Sequence, residues 1–333
     1  MKISNAVLLL ALLCCLECQS QTKKEMKDDK ANPLLCDPAT GMCEMQEQAG
    51  TTAQVSITPV TKPVKIIYYT DPICSSCWGI EPQLRKLKLE YGDYVEIEYR
   101  MGGLLPDWSY NSGGISKPAD VAHHWDEASA HYEMPIDGDV WLEDPLDSSY
   151  PSCIAVKAAQ LQDKQKAVQF MRILREMLYL DKKNIAKWQY INEAATLAGL
   201  NTEKLKKDYE GPAKKLFEED LEMARNLGVR GFPTLFFSDG SGNQLKVYGS
   251  KQYDAYENAL KATFPGAKKK PVGSDSVLEL FTMYPTLAIK EAAVILGITT
   301  ANARTLLDAE HSKGNLDMKN SKNGILYIKK QKN

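Results

Sequence analysis

The sequence predicts an α/β fold in which a helical insertion separates two strand-containing halves. The first half contains a β-branched and aromatic segment, 65–70, followed by a helix and by an alternating segment, 95–101. The second half contains a hairpin over 234–248 and a closing helix over 253–263. The stretch between the halves, about 118–210, has a helical pattern. This order of elements indicates one α/β domain with an insertion.

The N-terminus has the pattern of an export signal. Lys2 precedes an apolar run over 7–13, which is too short to span a bilayer as an ordinary helix. Residues 1–18 are therefore predicted to be a signal peptide, and the mature protein is expected in the periplasm or cell envelope. Cys18 resembles the lipidated cysteine of bacterial lipoproteins, although Glu17 replaces the usual small residue. We expect membrane anchorage through a lipid on Cys18; the alternative is cleavage by the general peptidase, which leaves a soluble protein.

A polar segment, 19–63, follows the signal and is predicted to be a flexible tether. It contains Cys36 and Cys43, and the turn-forming residues between them allow the two cysteines to meet. We interpret this pair as an accessory structural disulfide. Two alternatives are a second redox pair that shuttles electrons to another dithiol, and a soft-metal clamp that includes neighbouring methionines.

The helical insertion is divided by polar and glycine-containing breaks. The pattern predicts successive helices over 119–132, 153–162, 164–180 and 185–199 and, after a further short helix, 213–227. Gly228 is placed to end the last of them. A stretch rich in proline, glycine and lysine, 265–271, then predicts a linker, so that the α/β domain spans 64–265.

The last segment, 274–333, is predicted to form a separate small module. Three helical patterns followed by a hairpin resemble a winged helix-turn-helix, with Gly297 in the turn. Its net charge is only about +2, from seven Lys and one Arg against six acids, and strong phosphate binding needs more. Because the whole chain also has a net charge of −2, we exclude nucleic acid as a partner. A protein-contact or structural role is favoured.

A Cys-x-x-Cys motif, Cys74-Ser75-Ser76-Cys77, follows the first strand and opens a helix. Two intervening residues bring the sulfurs within disulfide range, and the helix N-terminus stabilises a thiolate on the first cysteine. Cys74 is therefore predicted to be the nucleophile, and Cys77 the cysteine that resolves the mixed disulfide. The alternative, half of a zinc site, lacks a second Cys or His pair at a suitable spacing.

Two motifs together carry a family resemblance. Asp71-Pro72-Ile73-Cys74-Ser75-Ser76-Cys77-Trp78-Gly79 and the later Gly231-Phe232-Pro233-Thr234 resemble the DsbA-like branch of the thioredoxin superfamily, closest to its FrnE/YjbH-like group. The resemblance covers residues 64–265 and implies a thioredoxin fold with a helical insertion. It further implies a cis-proline at Pro233 and pairing of the Phe232 backbone with bound substrate. Trp78, Ser75 and Ser76 are expected in the same substrate-binding region.

The chain departs from its oxidising relatives at two positions. The Ser-Ser dipeptide lacks the histidine that stabilises a thiolate, so we expect a pKa nearer neutral for Cys74 and a less oxidising potential. Tyr68 stands where many relatives carry a buried acid. Glu81 matches an acid of DsbA-type proteins and is the best candidate for a proton relay; the alternative is a solvated helix carboxylate.

These features predict a thiol–disulfide oxidoreductase, an enzyme that acts on client proteins carrying thiols or disulfides and exchanges electrons with a further redox partner. The redox-active disulfide Cys74–Cys77 is its expected redox group, without cofactor or metal. His123, His124 and His131 diverge on a helix and are not expected to bind a metal. The alternatives are a non-catalytic adaptor on the same fold, a soft-metal-handling protein and a glutathione-dependent isomerase, which usually has serine where Cys74 stands.

Overall fold

The computed structural model describes residues 36–37, 41–44, 62–109, 115–272 and 277–330, all within one contact unit, Ala31–Asn333. The strands are β1 (Cys36–Asp37), β2 (Met42–Glu44), β3 (Val64–Thr70), β4 (Val95–Met101), β5 (Gly231–Phe232), β6 (Thr234–Ser238), β7 (Gln244–Tyr248), β8 (Thr286–Ala288), β9 (Leu316–Ser321) and β10 (Gly324–Lys329). The helices are α1 (Ser75–Gly79), α2 (Glu81–Tyr91), α3 (Pro118–Tyr132), α4 (Val140–Glu143), α5 (Tyr150–Gln160), α6 (Lys164–Asp181), α7 (Trp188–Leu197), α8 (Thr202–Glu210), α9 (Pro212–Asn226), α10 (Tyr253–Thr263), α11 (Val277–Met283), α12 (Ile289–Leu296) and α13 (Thr300–Ser312).

In the described part of the chain, the central sheet has four strands in the order β4–β3–β6–β7. β3 and β4 run parallel, and the helices between them supply the crossover that a parallel pair requires. β6 pairs antiparallel with both β3 and β7. Every residue of β3 is buried, as expected for a strand covered on both faces. The predicted α/β class is confirmed, and β3 delivers the segment that follows it to the interior.

Two helices follow β3 where the sequence pattern predicts one. α1 ends at Gly79 and α2 begins at Glu81, with Ile80 between them. Pro82 has no N–H to donate to a preceding turn, and it lies in the first turn of α2, where no donor is needed. The Cys-x-x-Cys segment therefore occupies a short helix of its own, all five residues of which are buried.

The predicted helical insertion, about 118–210, comprises α3 to α8, and the helix predicted after it over 213–227 is α9, which precedes β5. The apolar faces of these helices join the residues of the central sheet in one continuous core. α6 crosses this core and carries Arg175, whose side chain is fully buried. The insertion thus adds a buried positive charge next to the first half of the sheet.

The C-terminal segment contains the three predicted helices and the predicted hairpin, together with one unpredicted strand. β8 pairs with β10, which also pairs with β9, giving the order β8–β10–β9. Gly297 has a φ of 68° and ends α12, as a left-handed glycine cap does. A second apolar cluster lies within this segment, while Ala288 and Leu326 join the main core. The segment is therefore packed against the α/β domain.

Several predictions fall on residues outside the described ranges. They concern the signal peptide over 1–18, its lipidation site Cys18, and most of the tether over 19–63. Among the helices of the described residues, none combines the length and apolar character needed to cross a membrane.

Candidate functional site

Cys74 caps the N-terminus of α1. Its backbone is extended, and its Sγ accepts a hydrogen bond of 3.2 Å from the backbone N–H of Cys77. A side-chain acceptor at this position satisfies one of the free N–H groups of the first helical turn. The preceding turn is fixed by Asp71, whose carboxylate accepts hydrogen bonds from the backbone N–H groups of Ile73 and Leu104. The Cys-x-x-Cys segment is therefore held in place on both sides of Cys74.

Cys74 and Cys77 are free thiols, and both are completely buried. Burial raises the pKa of Cys74, and the neighbouring Cys77 raises it further. Burial also opposes ionisation of Cys77, but the hydrogen bond from Cys74 and the positive charge of Arg175 outweigh it, so that the pKa of Cys77 is lowered. The pKa of Cys77 is therefore shifted down and that of Cys74 up, whereas the sequence pattern places the lower pKa at Cys74.

Arg175 connects the thiol pair to the insertion. Its Nη1 donates a hydrogen bond of 2.6 Å to Glu81 Oε1. Its Nη2 donates to Thr70 Oγ1 at 2.7 Å and to the carbonyl of Asp71 at 3.1 Å. Sequence reasoning missed this residue, because an arginine in an amphipathic helix has no local signal that distinguishes a buried partner from a solvated one.

Glu81 and Tyr68 lie around the same cluster. Glu81 forms an ion pair with Arg175, and its side chain is 15% exposed. Its link to the thiols therefore runs through the guanidinium, and its role as a proton relay stays a prediction. Tyr68, at the position where relatives carry an acid, is fully buried; its hydroxyl accepts a hydrogen bond from Thr70 and helps to lower the pKa of Cys77.

The predicted substrate-binding side chains on α1 are covered. Trp78 is fully buried, donates from Nε1 to the carbonyl of Pro135 at 3.0 Å, and stacks on Tyr179. Ser75 and Ser76 are also fully buried, and Ser76 Oγ lies 2.7 Å from the Tyr132 hydroxyl. These side chains present no surface to a second protein in this conformation, and their assignment to substrate binding stays a prediction.

The peptide bond between Phe232 and Pro233 is cis, and the segment before it is paired with the chain's own N-terminal region. β2 lies antiparallel to β5, with Cys43 opposite Phe232. β1 in turn pairs with β2, placing Cys36 opposite Cys43. We call β1 together with Gly41–Glu44 the strap. The strap occupies the backbone edge that the family resemblance reserves for bound substrate.

The strap brings a third cysteine to the thiol pair. Cys43 is disulfide-bonded and completely buried, and its Sγ lies 3.3 Å from the Sγ of Cys74. The strap is further held by a backbone hydrogen bond of 2.6 Å from the Ser250 N–H to the Gly41 carbonyl. Cys43 was predicted to form a disulfide with Cys36, and one alternative made that pair a shuttle of electrons to Cys74 and Cys77. No sequence signal fixed the direct contact between Cys43 and Cys74.

Cys153 belongs to a separate polar cluster beneath the motif. It is a fully buried free thiol that donates a hydrogen bond of 3.2 Å to Asp71 Oδ2. Ser149 Oγ donates to the same oxygen at 2.9 Å. Burial raises the pKa of Asp71, although these hydrogen bonds oppose the shift. In the described ranges, no group of three or more His, Cys, Asp or Glu side chains is arranged to hold a metal ion.

The fold and the site define a class: a thioredoxin-superfamily protein with a DsbA-like helical insertion. The thioredoxin family model matches residues 68–258. A ClpXP adapter protein SpxH from Halalkalibacterium halodurans is 33% identical over 304 residues, which cover 89% of this chain and 97% of that protein. The chain belongs to this thioredoxin family, together with the SpxH adapter proteins, and the DsbA-like resemblance is confirmed.

Two further comparisons agree with this assignment. The ClpXP adapter protein SpxH of Bacillus subtilis is 33% identical over 244 residues, covering 72% of this chain and 80% of that protein. Among solved structures, the cytosolic disulfide reductase DsbM from Pseudomonas aeruginosa has a TM-score of 0.50 and 21% identity, covering 61% of this chain and 100% of that one. At this level of identity, the likeness to DsbM shows the fold alone.

The relatives correct the functional predictions. They are adapter proteins of a protease, so the predicted oxidoreductase, an enzyme acting on client thiols with a redox partner, is wrong. The predictions of an exported, envelope-located protein anchored by a lipid are likewise contradicted, because the relatives are adapter proteins of ClpXP. The physical reason is that Cys-x-x-Cys and a cis-proline belong to the fold, and the same fold hosts different functions.

Proposed function

We propose that the chain is a non-catalytic adapter that binds a client protein and brings it to a ClpXP-type protease. The observation that carries this proposal is the extent of the match, which covers 97% of an SpxH adapter. The similarity is longer than the segment matched by the thioredoxin model, 68–258, so it is not limited to a common fold core. Similarity over nearly a whole adapter supports an adapter function more strongly than a shared motif does.

The geometry of the motif also supports an adapter. A protein that exchanged disulfides with clients would need an exposed attacking sulfur. Here Cys74 and Cys77 have no exposed surface, and the strap covers the β5 edge. An adapter requires neither an exposed thiolate nor an open active site, because it acts by holding two proteins close together.

A reconstituted degradation reaction tests the proposal. It contains ClpXP, ATP and a soluble extract of the source organism, with or without the purified chain, and quantitative mass spectrometry follows protein abundance over time. We expect a small set of proteins to disappear several-fold faster when the chain is present. The acceleration should saturate as the chain reaches the concentration of its client.

The controls separate an adapter from other effects. Proteolytically inactive ClpP should abolish the loss of the clients, and SpxH of Bacillus subtilis serves as the comparison adapter. The proposal is rejected when no protein is degraded faster with the chain than without it. It is also rejected when the acceleration persists without ATP, because the protease would then not be involved.

A further inference from the structure

The contact between Cys43 and Cys74 brings an oxidised sulfur next to a reduced one. Cys43 is part of a disulfide, whereas Cys74 is a free thiol. Their sulfurs lie 3.3 Å apart, which places the attacking atom and the atom attacked in direct contact. Thiol–disulfide exchange proceeds by attack of a thiolate on a disulfide sulfur through a mixed disulfide. The two partners of such an exchange are therefore already in contact inside this molecule.

The elements that carry the two sulfurs are independently fixed. Cys74 is held as the N-cap of α1, and Cys43 by the pairing of β2 with β5 and by the Gly41–Ser250 hydrogen bond. Both side chains are completely buried, so water and small thiols have no direct access to the contact. These constraints favour exchange within the chain over exchange with an external thiol, because the internal reaction is unimolecular.

We propose that the Cys43 disulfide and the Cys74/Cys77 dithiol form one intramolecular exchange system, with Cys36 as the disulfide partner of Cys43. Cys74 first passes its proton to Cys77, and the Cys74 thiolate attacks Cys43 Sγ. The Cys43–Cys74 bond forms, the Cys36–Cys43 bond breaks, and Cys36 leaves as the thiolate. Cys36 then takes the proton from Cys77. Cys77 attacks Cys74, and Cys43 leaves as the thiolate. One disulfide is lost and one is gained, so no external oxidant or reductant is consumed.

The charged and hydrogen-bonding groups around the two thiols are consistent with this order of reaction steps. The hydrogen bond from Cys74 and the positive charge of Arg175 lower the pKa of Cys77, and so favour a thiolate in the buried pair. The proton that must leave Cys74 has an acceptor next to it, since Cys77 is its hydrogen-bonding neighbour. The first step is therefore a proton transfer within the cluster, followed by attack on a sulfur that is already in contact.

The exchange changes how the strap is held. In the mixed disulfide, Cys43 is covalently bound to α1, so the strap is fixed across the β5 edge. After Cys77 completes the exchange, Cys36 is a thiol and Cys43 a thiolate, and no disulfide joins the strap to the motif. This inference goes beyond the adapter function, because it assigns a covalent reaction within the chain and does not depend on any client or protease.

Trapping the intermediate tests the exchange. Cys77→Ser removes the cysteine that resolves the mixed disulfide. The variant is incubated without reductant at alkaline pH, where hydroxide replaces Cys77 as the acceptor of the Cys74 proton. It is then quenched with acid, alkylated and digested for mass spectrometry. We expect a Cys43–Cys74 linked peptide together with alkylated Cys36, and we expect neither in Cys74→Ser. Cys153→Ser is the matched control, because it removes a buried cysteine outside the contact and should not trap the linked peptide.

A measurement on the unmodified chain covers the case in which a variant fails to fold. Chains that hold one disulfide among these four cysteines are prepared by partial reduction and, separately, by partial oxidation; the reagents are then removed. Exchange predicts that both preparations reach the same ratio of Cys36–Cys43 to Cys74–Cys77 bonds, at a rate independent of protein concentration. Two ratios that stay different, or only the Cys36–Cys43 bond in Cys77→Ser, would overturn the proposal. Neither result would bear on the adapter function.

Discussion

Arg175 sets the electrostatic environment of the motif from a distant part of the chain. It lies in α6, within the insertion, yet its guanidinium reaches the end of β3 and the first turn of α2 through Thr70 and Glu81. A fully buried guanidinium needs such partners, because an unpaired buried charge is costly. Its positive charge is one of the causes that lower the pKa of Cys77.

Replacing Arg175 should therefore change the ionisation of the thiol pair. We expect Arg175→Met to raise the pKa of Cys77, since the nearby positive charge is lost, while Arg175→Lys should raise it less. Thiolate absorbance at 240 nm, followed against pH and referenced to Cys77→Ser, measures the shift. Identical titration curves for the Met variant and the unmodified chain would show that Arg175 does not stabilise the thiolate.

Cys153 provides a contrasting thiol in the same core. Burial, together with the neighbouring Asp71, raises the pKa of Cys153 well above its ordinary value. We expect iodoacetamide at about pH 8 to leave Cys153 unmodified in the folded chain and to modify it after unfolding. Mass spectrometry of digested samples distinguishes the two states. Rapid modification in the folded chain would contradict the buried, protonated thiol.

At this scale, the sequence could predict features whose signal is local. The Cys74-x-x-Cys77 motif was recognised from its spacing, and the cis bond before Pro233 was predicted from the family resemblance. Arg175 and the contact of Cys43 with Cys74 could not be predicted, because their partners lie far away in sequence. The lower pKa was assigned to Cys74 from the helix N-terminus alone. In the structure, burial and the neighbouring Cys77 raise the pKa of Cys74, whereas the hydrogen bond from Cys74, together with Arg175, lowers the pKa of Cys77.

The two short strands of the strap could not be predicted from the sequence. The tether over 19–63 was predicted to be flexible because it is polar and lacks periodicity, yet part of it forms β1 and β2. Strands of two or three residues have no pattern of their own, and the pairing with β5 determines them. In contrast, β3, β4 and α10 have long, regular patterns, and their observed bounds lie within a residue of the predicted ones.

Gly41 offers a direct test of how the strap is seated. Its φ is +68°, and a Cβ added to it would lie 2.7 Å from the Ser250 Cβ and 2.8 Å from the Ser250 carbonyl oxygen. We expect Gly41→Ala to loosen the strap, because the left-handed backbone disfavours alanine by about 1 kcal/mol and the clash adds to this. Hydrogen exchange of the 231–232 amides, measured by mass spectrometry, should become faster.

Gly228→Ala is the matched control for the strap. Gly228 has a similar φ of +61°, but in the described structure no atom lies within 4 Å of its added Cβ. The control therefore carries the backbone penalty of alanine at positive φ without a clash against Ser250. Hydrogen exchange at 231–232 should not change. Equal rates of hydrogen exchange at 231–232 in the unmodified chain, Gly41→Ala and Gly228→Ala would mean that Gly41 does not hold the strap in place.

On the scale of the whole molecule, a buried ionic cluster fastens the C-terminal segment to the α/β domain. Glu291, in α12, is completely buried and accepts hydrogen bonds of 2.8 and 3.0 Å from Arg172. Arg85 lies 3.1 Å from the same carboxylate. Burial opposes ionisation of Glu291, but the two arginines outweigh it, so its pKa is lowered. The sequence predicted a separate module over 274–333 and carried no sign of this contact.

Breaking the cluster should destabilise the chain. We expect Glu291→Gln to lower the free energy of unfolding by about 3–5 kcal/mol, because two buried guanidinium groups lose the carboxylate that they share. Glu193→Gln, which breaks an exposed ion pair with Lys183, should cost at most about 1 kcal/mol. Urea denaturation at neutral pH measures both changes. Equal effects of the two substitutions would argue against a buried cluster.

The same carboxylate predicts a dependence on pH. Since the pKa of Glu291 is lower in the folded state than its ordinary value of 4.5, its stabilisation is present above about pH 4.5 and is lost as the pH falls through the folded-state pKa. The difference in unfolding free energy between the unmodified chain and Glu291→Gln should therefore shrink below pH 4.5. A difference that stays constant down to pH 3 would contradict the assignment.

The pairing of β2 with β5 places a strand of the chain itself on the edge that the family resemblance assigns to bound substrate, so any peptide that binds there must compete with β2. Because both strands belong to one molecule, β2 is present at a local concentration on the order of millimolar. A free peptide at micromolar concentration must bind this edge on the order of a thousand-fold more tightly than β2 to displace it. The edge is therefore selective by competition: it admits only strands that outperform the one the chain already supplies, and a longer connection between β2 and β3 would lower that threshold.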